Sequence, residues 1–191
     1  RAEVKDITSY LRLLSHQDDD PAFIRAVTTP KRGIGGTTLE ALGRAAGRRH
    51  QSLFAAIYAP GLDTELNVKQ RTALREFGDF IERMESRAAQ EPAGKVLNDM
   101  VRAIGYESWL FESLEPREAA GRWSNVSDLV DWLERKGSEE NKNLLELAQS
   151  VALLSMLDKE EGAADDVQLA TLHAAKGLEF RHVFLVGVEE G

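Results

Sequence analysis

Residues 29–39 read Thr29-Pro30-Lys31-Arg32-Gly33-Ile34-Gly35-Gly36-Thr37-Thr38-Leu39. A short helix is predicted before this stretch, over 23–27, and a longer helix is predicted after it, from about 38 to 49. Gly33 and Gly35 allow the backbone between the helices to turn tightly and to approach another surface closely. The stretch therefore predicts two helices joined by a tight glycine turn.

The start of the second predicted helix has the properties of an anion site. Thr37 or Thr38 is expected to cap this helix, and its free amides and its dipole favour a negative charge. Lys31 and Arg32 lie beside the same turn. The pattern predicts a helix-hairpin-helix that holds a nucleic-acid backbone without reading its sequence. The alternative is a plain glycine turn between two helices.

Apolar residues recur at helical spacing along most of the chain, which predicts a mainly α fold. The stripes are Val4/Ile7/Leu11/Leu14, Leu74/Phe77/Ile81/Met84, Leu97/Met100/Val101/Ile104, Val126/Leu129/Val130/Leu133 and Leu144/Leu147/Val151/Leu154. Helix breakers are expected at Asp20-Pro21, Pro60-Gly61, Pro92, Pro116, Gly137 and Gly162. Trp109, Trp123 and Trp132 are expected to pack in the core.

The last 25 residues have a different pattern. Residues 167–171 alternate between apolar and polar, and residues 183–186 are β-branched and aromatic, so two strands are predicted. Two strands alone do not form a stable sheet and need further partners. In the connection between them, Thr171 and His173 can donate to a phosphate, and Glu179 can accept from a sugar hydroxyl. A lone histidine is more often structural.

Composition excludes several classes of function. The chain has 191 residues, which suits one domain or one domain with a fragment of another. Cysteine is absent, which excludes disulfides, thiolate metal sites and cysteine nucleophiles. The sequence contains no phosphate loop of the form G-x-x-x-x-G-K-[ST], no histidine spacing typical of a metal site and no membrane-length apolar run. Because the chain starts at Arg1 and ends within a strand-like run, we expect a piece of a longer protein.

The charge is distributed unevenly. The net charge is −8, which argues against a general polyanion binder. Residues 25–50, however, include six basic residues and one acid, Glu40. Residues 128–166 include eleven acids and four basic residues. The first region is suited to meet phosphates and the second to repel them. The alternative is that both are solvated helix faces.

Two motifs together resemble the UvrD/Rep/PcrA family of superfamily 1 DNA helicases. The sequence T-L-H-A-A-K-G-L-E-F over 171–180, followed by V-F-L-V-G-V-E-E-G, is similar to motif V of that family. T-P-K-R-G-I-G over 29–35 is similar to the GIG motif of its 2B subdomain, and residues 1–14 and 18–25 are similar to the segment that leads out of its second RecA-like domain, 2A.

The resemblance implies a domain plan and a set of roles. Residues 1–15 would be part of 2A, residues 16–161 the helical 2B subdomain, and residues 162–191 a strand-loop-strand remnant of 2A. Duplex DNA would contact Lys31, Arg32, Gly33, Gly35 and Thr37, single-stranded DNA would contact Thr171 and His173, and the nucleotide would contact Gly177 and Glu179.

The same resemblance implies the activity of the parent protein. It would be an ATP-dependent 3′-to-5′ DNA helicase that uses ATP and Mg²⁺ in replication or repair, located in the cytoplasm and without a membrane partner. The phosphate loop, the Walker B pair and the motif VI arginine have no match in this sequence, so no catalytic residue and no bound cofactor are expected in this piece. Alternatives are a module that docks replication or repair proteins through its acidic half and, less favoured, an autonomous enzyme.

Overall fold

The computed structural model describes residues 1–151, 170–171, 175–176 and 182–187. Within these residues the chain is mainly α-helical, as predicted, and no residue is in a β-strand. The helices are α1 (Ala2–Ser15), α2 (Asp20–Thr28), α3 (Gly36–Arg49), α4 (Leu53–Ala56), α5 (Val68–Gln90), α6 (Ala93–Ala103), α7 (Tyr106–Ser113) and α8 (Pro116–Glu140), with a 3-10 helix at Leu62–Thr64. Residues 144–151 are helical as well.

Helix α1 lies at the centre of this bundle and packs against α2, α5 and α8. Ile7, Tyr10, Leu11 and Leu13 are completely buried, so α1 buries more than the single stripe that the apolar spacing predicts. One hydrophobic core runs from α1 through the other helices. The boundary expected between residues 15 and 16 stays a prediction, and in the structure the core includes α1.

A buried polar group joins α1 to two other helices. The Asp6 carboxylate accepts a hydrogen bond from Arg25 Nε of α2 at 2.7 Å and another from the Tyr106 hydroxyl of α7 at 2.5 Å. Burial and the neighbouring Asp6 carboxylate raise the pKa of Tyr106, because both disfavour the phenolate. The three side chains satisfy one another, as buried polar groups require.

Two predicted helix signals have different outcomes. Residues 18–20 form a carboxylate run before Pro21, a pattern that predicts a helix cap, and Asp19 does cap α2 by accepting from the Ala22 amide at 3.0 Å. Gly137 was expected to break a helix but lies inside α8. A Cβ at this position would come within 3.0 Å of the Ala93 Cβ and 3.2 Å of Leu147 Cδ1. The glycine therefore allows α8 to approach α6 and the helix at 144–151 closely.

The three tryptophans differ in how deeply they are buried. Trp109 and Trp123 are partly buried and pack against the core, as expected. Trp132 is 39% exposed, with the Lys136 ammonium 5.3 Å from its ring centre, so its predicted place in the core is wrong. The reason is its position on α8, because the neighbouring Leu133 faces the core and a step of one residue turns a helix by about 100°.

Most of the predicted strand-loop-strand segment lies outside the described residues. Residues 183–186 have no assigned strand and are exposed, with Phe184 at 89%. Residues 167–169 of the expected partner strand lie outside the described residues. The two-strand remnant therefore stays a prediction.

Candidate nucleic-acid interface

The turn between α2 and α3 is fixed by one glycine and one buried side chain. Gly33 has a φ of +78°, in the left-handed region that favours glycine. The next residue, Ile34, is only 7% exposed and anchors the turn in the core. Lys31, Gly35 and Thr37 are exposed on the same turn. The structure therefore brings together, at one surface, most of the residues that the sequence predicts to contact duplex DNA.

The start of α3 is open. Its N-cap is Gly35, which offers no side-chain hydrogen bond, so the expected capping by Thr37 or Thr38 is wrong. The Thr38 amide bonds to the Gly35 carbonyl at 3.1 Å, and the Thr38 hydroxyl is buried and accepts from Gln70 Nε2 at 3.0 Å. The amides of Gly36 and Thr37 are left for an external acceptor, in the direction that the helix dipole favours for an anion.

Arg32 turns inward. Its guanidinium donates to the Ala26 carbonyl at 2.5 Å and to the Tyr10 hydroxyl at 2.7 Å. It also lies over the ring of Phe77, 5.2 Å from its centre. The Tyr10 hydroxyl, with one proton to donate, lies within hydrogen-bond distance of the carbonyls of Ala26 and Thr29, at 2.8 and 2.6 Å. Arg32 thus ties the turn to α1 and α5, a structural role that the sequence pattern does not distinguish from phosphate binding.

Lys31 has the opposite environment. It is exposed, and no hydrogen bond or ion pair holds it within the part of the chain that the structure describes. Its ammonium is therefore available to an anion at the open start of α3.

Most other cations of the basic stretch are already paired. Arg25 bonds to Asp6, while Arg44 and Arg48 both bond to Glu65. These two arginines lower the pKa of the Glu65 carboxyl by hydrogen bonding, with Arg48 the larger contributor. Asp6 and Glu65 lie outside residues 25–50. The net positive charge counted over residues 25–50 is therefore larger than the positive charge that remains free for a ligand. In the folded chain, the part of the predicted basic region that is best placed to bind an anion is the α2–α3 turn.

The motif V residues are largely outside the described part of the chain. Thr171 is described and exposed, and its carbonyl accepts from the Ala175 amide at 2.9 Å. His173, Gly177 and Glu179 lie outside the described residues. Their predicted roles stay predictions.

The acidic stretch forms a face on α8. Asp128, Asp131 and Glu134 are exposed and follow one another at steps of three residues, so they lie on one side of the helix. With Arg135 they line a shallow surface groove. Among the described residues, no group of three or more His, Asp or Glu side chains can hold a metal ion. Nor is any helix in the described ranges long and apolar enough to cross a membrane.

A helical body with a GIG turn, followed by the motif V sequence, defines a helicase-type domain. This chain belongs to the family of the UvrD-like helicase C-terminal domain, whose model matches residues 1–191. The family predicted from the two motifs is thereby confirmed.

The chain is similar to three characterised types of helicase. ATP-dependent DNA helicase Rep of Escherichia coli (strain K12) is 41% identical over 198 residues, covering 100% of this chain and 29% of the relative. DNA helicase II of the same organism is 35% identical over 196 residues, covering 100% and 27%. ATP-dependent DNA helicase PcrA of Bacillus subtilis (strain 168) is 34% identical over 198 residues, covering 100% and 26%. The chain thus spans less than a third of each relative.

The sequence Gly-Tyr-Glu-Ser-Trp-Leu over 105–110 resembles Rep in particular. The identities agree with that likeness, since Rep is more similar to this chain than the PcrA and DNA helicase II relatives are.

Proposed function

We propose that this chain is the 2B subdomain of an ATP-dependent DNA helicase, with flanking segments of 2A, and that its helical body binds the backbone of duplex DNA and regulates unwinding. The observation that carries the proposal is the uncapped start of α3 beside the exposed Lys31. Two free amides, a helix dipole and one unpaired ammonium suit a phosphate and recognise no base. This is the chemistry expected of a contact that slides or swivels on duplex DNA.

The parent protein is proposed to hydrolyse ATP with Mg²⁺ and to unwind DNA in the 3′-to-5′ direction, in replication or repair. The support is that the similar proteins are named DNA helicases, two of them ATP-dependent. The sequence of this chain has no phosphate loop, and the nucleotide contacts predicted for Gly177 and Glu179 fall outside the described residues and stay predictions. We therefore expect no ATP hydrolysis by this chain alone, and its cytoplasmic location stays a prediction.

The variant Gly35→Asp tests the duplex contact directly. A Cβ at Gly35 meets no atom within 4 Å, so the substitution fits without strain. An aspartate at the N-cap would bond to the free amides of α3 and stabilise the helix by a few tenths of a kcal/mol, about the known difference from glycine. The same carboxylate would repel a phosphate. We expect an unchanged or higher melting temperature and duplex affinity lower by about tenfold or more.

The matched control is Gly35→Asn, which occupies the same amides without adding a charge. Its duplex affinity is expected to lie between those of the wild type and the aspartate variant. The measurement is fluorescence anisotropy of a labelled duplex with a 3′ single-stranded tail at low salt. Wild-type affinity in a folded Gly35→Asp chain, or no duplex binding by the wild type, would reject the proposal.

A second candidate function is docking of a basic protein partner from replication or repair. The observation in its favour is the exposed acidic face of Asp128, Asp131 and Glu134 on α8. Charge reversal by Asp128→Lys and Asp131→Lys separates the two functions. If the face docks a partner, binding of replication and repair proteins is lost in a pull-down while duplex affinity is not lowered. Unchanged pull-down profiles would remove this candidate.

A further inference from the structure

A cavity lies between the loop 57–63 and the first turns of α5. Its volume is about 370 Å³, and Arg71 and Arg75 of α5 line it opposite the loop. The loop is braced from two sides. Arg49 Nη2 of α3 donates to the Pro60 carbonyl at 3.2 Å, and the Tyr58 hydroxyl donates to Asp79 of α5 at 3.2 Å. The cavity is therefore preformed rather than dependent on a free loop.

Neither arginine has a hydrogen-bond acceptor among the residues that the structure describes. Arg71 Nε is buried and lacks a hydrogen-bond partner. Within the described residues Arg75 likewise forms no hydrogen bond or ion pair with an acid or a carbonyl, in contrast to Arg44 and Arg48, which both bond to Glu65. Buried N–H groups are nearly always satisfied, so an unpaired one on a side chain that lines a cavity calls for an acceptor from outside. Asp63 also lines the cavity, but it forms no ion pair with either arginine.

We infer that Arg71 and Arg75 form a second phosphate site, which takes a backbone phosphate of the same duplex that contacts the α2–α3 turn. Two guanidinium groups present paired N–H donors that match the oxygens of a phosphate. The inference rests on the proposed function and deepens it, because it assigns a second point of contact to the body.

The position of the cavity favours a nucleic-acid phosphate over the carboxylates of an acidic peptide. Gln70 Nε2 donates to Thr38 Oγ1 at 3.0 Å, which joins the first turn of α5 to the first turn of α3. Arg71 follows Gln70 directly, and Arg75 lies about 6 Å beyond Arg71 along the α5 axis. Both arginines are thus close to the open start of α3. A polyanion with a regular charge spacing can reach both points at once.

The test compares charge-neutral variants of three arginines on one helix. Arg71→Gln and Arg75→Gln are each expected to weaken duplex binding about fivefold and to reduce the slope of log affinity on log salt by about one, as for the loss of one phosphate contact. Arg83→Gln is the matched control, because Arg83 is exposed on α5 two to three turns away. It should leave both quantities close to the wild type. Arg75 is exposed, so its variant tests the site without disturbing the core.

A second arm separates this inference from the proposed function. Inorganic phosphate is titrated into ¹⁵N-labelled chain, and the Arg71 Nε–H signal is followed by NMR. Duplex binding by the wild type that is unaffected in both Arg71→Gln and Arg75→Gln overturns the inference and leaves the α3 contact intact. A phosphate-dependent shift without any duplex binding overturns both the proposed function and the inference as stated, and assigns the cavity to free phosphate or an acidic peptide.

Discussion

The two sides of the α2–α3 turn contain the same kinds of residue and use them differently. On the packed side, Arg32 bonds to Tyr10 and Ala26 and lies against Phe77. On the open side, its neighbour Lys31 is exposed and unpaired in the described part of the chain, beside the uncapped start of α3. Adjacent cations thus have separate tasks, one in the fold and one at the surface.

The starts of α2 and α3 show the same division. Asp19 fills the start of α2, where its carboxylate accepts from the Ala22 amide and from Arg12 Nε at 2.7 Å. Gly35 leaves the start of α3 empty of side-chain acceptors. A helix start that is capped by a side chain stabilises the helical body. An uncapped start at the surface has amides that are free to bind an anion. The predictions below test whether packed and open positions separate stability from binding.

The largest loss of stability is expected when Asp6, which joins α1 to α2 and α7, is replaced. Asp6→Ala removes the acceptor of Arg25 Nε and of the Tyr106 hydroxyl, and Arg25 keeps only its Nη2 bond to the Ala2 carbonyl. Breaking such a group costs about 2–3 kcal/mol of unfolding free energy, at the lower end for buried pairs because Arg25 is partly exposed. Urea unfolding measures it. Asp18→Ala is the control, since Asp18 is exposed and such a change costs about 0.5 kcal/mol or less. Equal losses in the two variants would contradict the assignment.

A smaller loss of unfolding free energy, about 1–2 kcal/mol, is expected for Arg32→Gln, because two hydrogen bonds and the contact with Phe77 are removed at a partly buried site. Arg32→Lys separates structure from DNA contact. Lysine keeps the charge but cannot make the same pair of bonds, so stability should fall in both variants. If Arg32 instead contacts phosphate, Arg32→Gln will lose duplex affinity without losing stability. Thermal unfolding beside duplex anisotropy distinguishes these results.

Sequence reasoning identifies most of this body because helical periodicity and breakers are local signals. The stripe around Leu74, Phe77 and Ile81 is buried on α5, and the carboxylate run before Pro21 caps α2. The glycine turn is also recognisable from Gly33, because a positive φ is a property of one residue and its neighbours.

The predictions that were wrong have a common cause. In each case the role of the residue is set by a tertiary neighbour that is distant in the sequence. Arg32 is matched by Tyr10, 22 positions earlier, and Arg48 is matched by Glu65, 17 positions later. Gly137 is required by the approach of Ala93, not by a turn. Thr38, one of the two predicted caps, is instead bonded to Gln70, 32 positions away. None of these partners is visible in a local window, so charge counts overestimate the free basic surface.

The unfolding free energy is expected to depend on pH in the alkaline range, because Tyr10 lies on the packed side of the turn. Burial raises the pKa of Tyr10 from 10.0 to about 12, although Arg32 opposes the shift. Since the folded pKa exceeds the unfolded one, the stabilising contribution is complete below about pH 10 and is lost as the pH rises towards 12. The difference in unfolding free energy between the wild type and Tyr10→Phe, measured from pH 8 to 12, should therefore be constant up to pH 10 and then move against the wild type. A difference that stays flat to pH 12 would contradict it.

The smallest effect on stability is expected on the open side, where Lys31→Gln should change the unfolding free energy by no more than about 0.5 kcal/mol. Its effect on binding is expected to be clear, because Lys31 is exposed and has no partner in the described residues. Duplex affinity should fall at low salt, and the slope of log affinity on log salt should decrease by about one. Arg83→Gln, which removes an exposed charge well along α5, again controls for the loss of one positive charge elsewhere. If Lys31→Gln destabilises the chain as much as Arg32→Gln, the two sides of the turn are not separate, because a cation without a packed partner cannot carry that much of the fold.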